Sequence, residues 1–394
     1  MRSWFFLFLH PLIVFDSAMQ YRVFGPDQFS VSALGFGCMR LPTTDGLPTG
    51  PVNLAESTRM IRRGIDAGIN YLDTAKVYHE GKGEEAVGIA LAEGYREKVQ
   101  IATKLPLWGV ETVSDCDKLL GEQLTDLKTD VIDVYLFHCL QTHLWDIIKR
   151  LDLIRWAEKQ RQSGKIRYIG FSFHDNLSLF KEIIDAYSWD MCMIQYNYAN
   201  ATHQAGTAGL KYAASKGISV VAMEPLFGGF LAKPTGAIGK AYGNSSYDPV
   251  DLALRWLWDQ PELSLLVSGM STMPQVEQNL EIAGRSTVGG LTEEEARFLQ
   301  TLQKEYDQAV PIKCSKCQYC VPCPSGVDIP SFFDFYNLAN ALPEKKGHYD
   351  TIYSLFAADR RADACTQCGI CESKCPQKLP IQKLLKEVHQ FFAG

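Results

Sequence analysis

The amino-acid sequence predicts an α/β fold, a (β/α)8 or TIM barrel followed by a small, mainly α-helical domain. Three observations carry this. Short apolar runs alternate with amphipathic helical stretches through most of the chain, the pattern of parallel βαβ units. The 394 residues leave room for a barrel and a smaller unit, since a barrel alone takes about 250 residues. Beyond Ala309 the composition changes: eight of the 12 cysteines fall between Cys314 and Cys375.

The barrel elements read in order. YRVF and SVSALG make a short hairpin, and LGFGCM a first buried strand. YLD, VQIATK, VIDVYLFH, IRYIGFS, CMIQYN, ISVVAME and LSLLVSG follow as strands two to eight. Helical spacing of apolar residues marks Leu54–Ala67, Glu84–Ala92, Cys116–Leu127, Trp145–Ser163, Leu177–Asp185, Thr207–Lys216 and Val250–Asp259 between them. Phe227–Tyr247, rich in glycine and proline, is the longest loop, on the face where such loops shape access. The helix Thr292–Asp307 ends the barrel, and Ala309–Lys313 links it to the cysteine-rich part, where SFFDFYNLANAL, HYDTIYSLFAADR and LPIQKLLKEVHQFF read as helices. The expected division is an extension over 1–18 outside the fold, a barrel over 19–308 and the cysteine-rich domain over 309–394.

A net charge of −6 argues against broad nucleic-acid binding, which wants a basic face. Trp4–Phe15 is apolar but too short to span a bilayer, which takes about 20 residues. His10-Pro11 interrupts it, and Asp16-Ser17-Ala18 is a poor cleavage site. It reads as an upstream extension or a misassigned start, ahead of an export signal or membrane anchor. A cytoplasmic protein with no membrane partner is expected.

Chemistry in a parallel barrel sits where strands end. GINYLDTAKVY puts Asp73 at a strand tip and Tyr78 on the loop after it. A free phenol, with a pKa of about 10, is a poor acid at neutral pH. A nearby ammonium favours the phenolate, and a carboxylate can hold the ammonium. Lys104 stands at the tip of the next strand and His138 at the tip after that. Singly, each has an ordinary reading: a loop cap, a packed ring, a surface cation, a core histidine. On three consecutive strand tips they make a candidate site. Lys76 reads as a solvated charge, His79 as a rim residue and His143 as surface. Cys139, one step past His138, should point away from the pocket as a buried thiol.

These residue types in this order resemble the aldo-keto reductase family, over roughly Gln20 to Leu302. The resemblance implies hydride transfer between NADP or NAD and a small-molecule carbonyl or alcohol. It makes Tyr78 the proton donor, with Lys104 lowering its pKa, Asp73 paired to Lys104, and His138 positioning the carbonyl. It assigns the nicotinamide carboxamide to Ser172 (in GKIRYIGFS) and Gln195, and packing on the ring to Met223, where relatives often carry tyrosine. Gly269, Ser271 and Asn279, in VSGMSTMPQVEQN, match the segment around the adenine phosphate. Gly269 and Gln275 stand where a lysine and an arginine usually hold the 2′-phosphate, so the choice between NADPH and NADH stays open.

In the tail, Cys365, Cys368 and Cys371 are spaced C-x2-C-x2-C, with Cys375-Pro376 after three more residues. This is the bacterial ferredoxin run, whose fourth cysteine ligates the other cluster. Cys314, Cys317, Cys320 and Cys323 repeat it with a shorter last step. By that exchange one [4Fe–4S] cluster takes Cys314, Cys317, Cys320 and Cys375, and the other Cys365, Cys368, Cys371 and Cys323. Zinc wants one compact set of four ligands, and disulfides suit small secreted domains; both fit two triplets with remote fourth ligands less well. The helices between the motifs resemble α-helical ferredoxin modules, so the domain is expected to be ferredoxin-like. Hydride moves two electrons and a cubane normally one, and no flavin motif joins them. The favoured expectation is an oxidoreductase coupled to or stabilised by two clusters, with a redox partner protein as a further candidate. The alternative is an electron-transfer or redox-sensing protein whose barrel binds nucleotide without turnover.

Overall fold

The structure is a computed structural model and describes residues 19–46, 50–243, 245–285, 287–314, 320–375 and 379–394. The expected extension over 1–18 lies outside the described residues. The hairpin forms from β1 (Tyr21–Phe24) and β2 (Phe29–Ser32), antiparallel. The apolar runs then become β3 (Leu34–Gly37), β4 (Tyr71–Asp73), β5 (Gln100–Leu105), β6 (Ile132–Leu140), β7 (Ile166–Phe173), β8 (Met191–Gln195), β9 (Ser219–Met223) and β10 (Leu263–Gly269). These eight pair in sequence order, and β10 returns to β3 to close the barrel. Strands in such a sheet are covered on both faces, which is why they read as continuous apolar runs.

Inside the barrel Tyr71, Val134, Leu136, Met191, Met193 and Leu265 fill the axis, with Phe24 and Val31 of the hairpin as its floor. Gly170 is required there: a Cβ at that position would stand 2.3 Å from Met191 Sδ and 2.6 Å from its carbonyl oxygen. Between strands and helices lies a second, larger apolar layer containing Phe36, Phe171, Phe173, Phe180 and Trp258. Truncating any of these fully buried rings to alanine should cost about 3–5 kcal/mol.

Two expectations about elements are corrected. The helix read over Trp145–Ser163 is two, Thr142–Leu151 and Leu153–Gln162, broken at Asp152 with φ 51°. The buried positions Leu144, Trp145 and Ile148 resume at Leu153, Trp156 and Ala157, a step out of phase with about 3.6 residues per turn. The segment Phe227–Tyr247 is not simply a loop, since it carries short 3-10 turns over Phe227–Ala232 and a helix over Gly236–Tyr242.

After the helix Glu293–Ala309, the C-terminal region folds into helices Ile329–Ala341, Lys346–Leu355, Ile370–Lys374 and Ile381–Ala393. Phe332, Phe333, Tyr353, Leu385 and Val388 form its core together with the Cys371 and Cys375 side chains. Its first helix ends in Ala341 and Leu342, which share an apolar cluster with Phe227, Phe230, Leu231 and Tyr306 of the barrel. The connecting segment is pinned: Ile312 N donates to Asn337 Oδ1 (2.8 Å), and Asn337 Nδ2 donates to Ile312 O (2.7 Å). Among the described residues no helix is long and apolar enough to cross a membrane.

Candidate active site

Strand register brings the site together. Asp73 ends β4, and Lys104 lies one strand over in β5, next to β6, which carries His138. Lys104 Nζ donates to Asp73 Oδ1 (2.7 Å), to Thr74 O (2.7 Å) and to Tyr78 OH (3.2 Å). Its three protons are thus placed, and Tyr78 OH, as an acceptor here, keeps its own proton to donate. The Tyr78 and His138 rings lie edge to face, 6.4 Å apart. All four predicted side chains therefore share one pocket at the C-terminal end of the strands.

The electrostatics depart in part from the sequence expectation. Burial opposes the charge on Lys104, but Asp73 and Tyr78 together outweigh it and raise its pKa, so it stays an ammonium. For Tyr78, burial pushes the phenol above 10, and the pull of the Lys104 ammonium only partly offsets this. The expected lowering is present as a contribution but does not win. Burial first, then the Lys104 and His174 charges, holds His138 well below 6.5 and leaves it neutral. His138 Nδ1 is buried without a partner among the described residues. The proton of the neutral ring is then best placed on Nε2.

Of the remaining predicted positions, all but Asn279 lie at or just past the C-terminal ends of β7 to β10. Ser172 Oγ accepts from Cys139 N (2.7 Å), which leaves its hydroxyl proton to give. Gln195, at the end of β8, accepts from Gln204 Nε2 (3.2 Å), and Met223 lies half-buried atop the barrel interior. Gly269 is exposed at the end of β10. Ser271 N is already engaged, donating to Gln275 Oε1 (2.8 Å). Asn279 is buried and donates to Ser268 Oγ (2.8 Å), so its amide nitrogen serves the protein interior.

Several minor readings change. Lys76 is not a solvated charge: its Nζ lies 2.7 Å from Asp126 Oδ2 and 3.4 Å from Glu122 Oε2. His79 is buried, with Nδ1 3.2 Å from Gly50 O. Cys139 is only half-buried, because its φ of 59° and a register shift between Phe137 and Leu140 break the strand alternation. His143 is exposed, as expected. Sequence reasoning missed Trp108, whose ring lies 5.1 Å from that of His138; its place on the loop just beyond Lys104 was the available signal. It also missed Gln204, which no local pattern marks.

In the C-terminal region one recess is lined by Cys320, Cys323, Cys365, Cys368 and Cys371, the last four being the set assigned to a single cluster and Cys320 a member of the other set. Among the described residues no three such side chains close round a single metal ion. A recess lined by thiols offers the donor set that an iron–sulfur cluster takes. Of the other set, Cys314, Cys320 and Cys375 belong to the same apolar cluster, and Cys317 lies outside the described residues.

A closed barrel whose strand tips join a phenol, an ammonium and a carboxylate beside a neutral imidazole is the scaffold of an oxidoreductase. Residues 33–295 match the Aldo/keto reductase family, and the chain belongs to that family. Residues 313–383 match the 4Fe-4S dicluster domain, so the family barrel here carries such a domain at its C-terminal end. The uncharacterized oxidoreductase YqkF of Bacillus subtilis (strain 168) is 28% identical over 320 residues, covering 73% of this chain and 97% of its own length. L-galactose dehydrogenase of Arabidopsis thaliana is 26% identical over 284 residues, covering 66% of this chain and 87% of its own. The holo form of aldo-keto reductase AKR11C1 from Bacillus halodurans superposes with a TM-score of 0.61 at 27% identity, covering 72% of this chain and 96% of that one. An aldo-keto reductase from Klebsiella pneumoniae, solved in complex with NADPH, shares the fold with a TM-score of 0.58 at 23% identity, over 72% of this chain and 96% of that one.

Proposed function

We propose that the barrel transfers hydride between a nicotinamide dinucleotide and a small carbonyl or alcohol, over residues 19–308, beside a two-cluster domain over 309–394. The observation that carries this is the chain from Asp73 through Lys104 to Tyr78, in which Tyr78 OH accepts from Lys104 and has no acceptor for its own proton among the described residues. When bound, the nicotinamide supplies the hydride, and iron–sulfur clusters pass single electrons.

The residues of this chain do the rest. As the carbonyl carbon takes hydride, Tyr78 gives its proton to the carbonyl oxygen, a general-acid step. Lys104 steadies the phenolate that is left, and Asp73 keeps the ammonium aimed. His138 Nε2–H donates to the same oxygen, and such preorganised donors favour the developing charge. Ser172 and Gln195 hold the carboxamide, Met223 packs against the ring, and Gly269, Ser271 and Asn279 border the adenine end. Cys314, Cys317, Cys320 and Cys375 bind one cluster; Cys323, Cys365, Cys368 and Cys371 bind the other. The NADPH complex of the Klebsiella pneumoniae protein supports NADP, and the identity of this chain's own nicotinamide is read from binding.

The test is turnover of NADPH and NADH by the cluster-loaded protein with a panel of aldehydes, ketones and alcohols. Tyr78→Phe should lower kcat by about 10²–10⁴-fold with cofactor binding intact. Full turnover in Tyr78→Phe removes this mechanism. No turnover at all, with the clusters still exchanging electrons with a viologen, favours an electron-transfer or sensing role.

A further inference from the structure

Two cations meet at the mouth of the barrel, and one of them belongs to the C-terminal region. Arg40 follows β3, and the stem of its side chain lies flat on Gly269, with Cβ, Cγ and Cδ 3.4–3.6 Å from where a Cβ there would stand. Ser271 Oγ donates to Arg40 O (2.8 Å), fixing the backbone under it. Lys345 comes from the turn after the helix Ile329–Ala341, and its Nζ donates weakly to Phe227 O (3.4 Å). A Cβ on Gly228 would stand 3.2 Å from Lys345 Nζ and 3.6 Å from Arg40 Nη2. The two side chains thus converge on one point of the loop after β9.

Among the described residues no carboxylate pairs with either. The Arg40 guanidinium has no hydrogen-bond or ion-pair partner among the described residues, and Lys345 has no carboxylate within ion-pair distance there. Glu224 is the acidic group whose charge both feel. Its side chain is exposed, and the protein packed near it raises its carboxyl pKa. Burial and then the Arg40 charge lower the Lys345 pKa, so the pair repels until an anion arrives. The loop itself is left-handed over Phe227 (φ 49°), Gly228 (φ 65°) and Gly229 (φ 92°). An aromatic residue there is strained, and such strain gathers at ligand clamps. Phe227 N and Gly229 N already donate to Glu224 O and Leu226 O (2.9 Å each), so the positive charge at this point comes from the two side chains.

We propose that Arg40 and Lys345 clamp the phosphate groups of the nicotinamide dinucleotide over Gly228, so that the C-terminal domain completes the barrel's cofactor site. This deepens the reading of the barrel as a nicotinamide-dependent oxidoreductase and rests on it. The clamp makes the domain a ligand-binding part of the enzyme, independent of any electron that its clusters carry.

The experiment measures dissociation constants of the full-length, cluster-loaded protein for NADPH and NADH by fluorescence, with inorganic pyrophosphate as competitor. Lys345→Met and Arg40→Met should each weaken dinucleotide binding at least ten-fold and make it less sensitive to salt. Lys345→Arg should stay within three-fold of the parent. Lys346→Met, which removes the neighbouring lysine paired to Asp350 (2.7 Å), should change nothing. Pyrophosphate should displace dinucleotide from the parent and fail to bind Lys345→Met. Circular dichroism and iron content confirm that each variant is folded and loaded. Unchanged dinucleotide affinity in Lys345→Met, with the parent binding well, overturns the clamp and leaves the oxidoreductase reading standing. Failure of the parent to bind either dinucleotide overturns both.

Discussion

In the barrel, the groups of the candidate site hold one another: Lys104 has Asp73, Thr74 O and Tyr78 on its three protons, with Asp73 and Lys104 on buried strands and Tyr78 on the turn that follows β4. In the C-terminal region the cysteines instead line a recess, and Cys371 and Cys375 are themselves part of the core. The first site is ordered by packing and hydrogen bonds that the chain supplies alone. The second is built from thiols whose mutual contacts supply little, so its order rests on what they ligate. A single substitution should accordingly mean different things in the two places.

Lys104→Met should have the largest effect on stability. It strands the buried Asp73 carboxylate, and breaking one side of a buried pair costs about 3–5 kcal/mol. Denaturant melts should recover most of that loss in Lys104→Met/Asp73→Asn, while turnover stays lost. A single variant as stable as the parent would mean that the pair contributes nothing to folding. Next, Cys368→Ser should remove one cluster's iron and sulfide and loosen the C-terminal helices in hydrogen exchange, leaving the barrel's exchange unchanged. Cys116→Ser, in the barrel, should leave iron and sulfide at the parent level. Equal loosening of both regions would erase the contrast.

A milder effect concerns pH. The proton donor must be protonated to reduce a carbonyl, and burial raises Tyr78 above 10, so the phenol keeps its proton well past neutrality. His138, held well below 6.5, is neutral over the same range. The rate of reduction should therefore be flat from about pH 7 to about pH 9 and fall only above that. A fall centred near neutrality would assign the proton to another group. The smallest effect is expected from Trp108→Ala, which removes an exposed wall beside His138. Loss of that partial burial should weaken substrate binding by about 1–2 kcal/mol, seen in KM more than in kcat.

What the sequence made legible is local or periodic. The eight strands were readable because burial on both faces leaves unbroken apolar runs, and Asp73, Lys104 and His138 because each ends such a run. The helix break at Asp152 and the turned-out Cys139 were not readable, since each depends on a single left-handed residue with no glycine or proline to announce it. Arg40 and Lys345 were missed for another reason. They meet through the docking of segments far apart in the chain, with Arg40 lying on Gly269 and Lys345 reaching Phe227. No window of sequence contains such a meeting. Ser271 was legible as part of the phosphate segment, but not the Gln275 side chain that engages its amide.

The double hydrogen bond between Asn337 and Ile312 bears on any protein that would dock here. Two domains joined by a short linker ordinarily reorient; here the bond ties the linker to the first C-terminal helix two residues ahead of Cys314, and the end of that helix packs Ala341 and Leu342 against Phe227, Phe230, Leu231 and Tyr306 of the barrel. The cysteine-bearing portion is thus mounted at a set angle to the barrel. A visiting electron carrier would meet a single, standing orientation and would have to bring whatever adaptability the encounter requires.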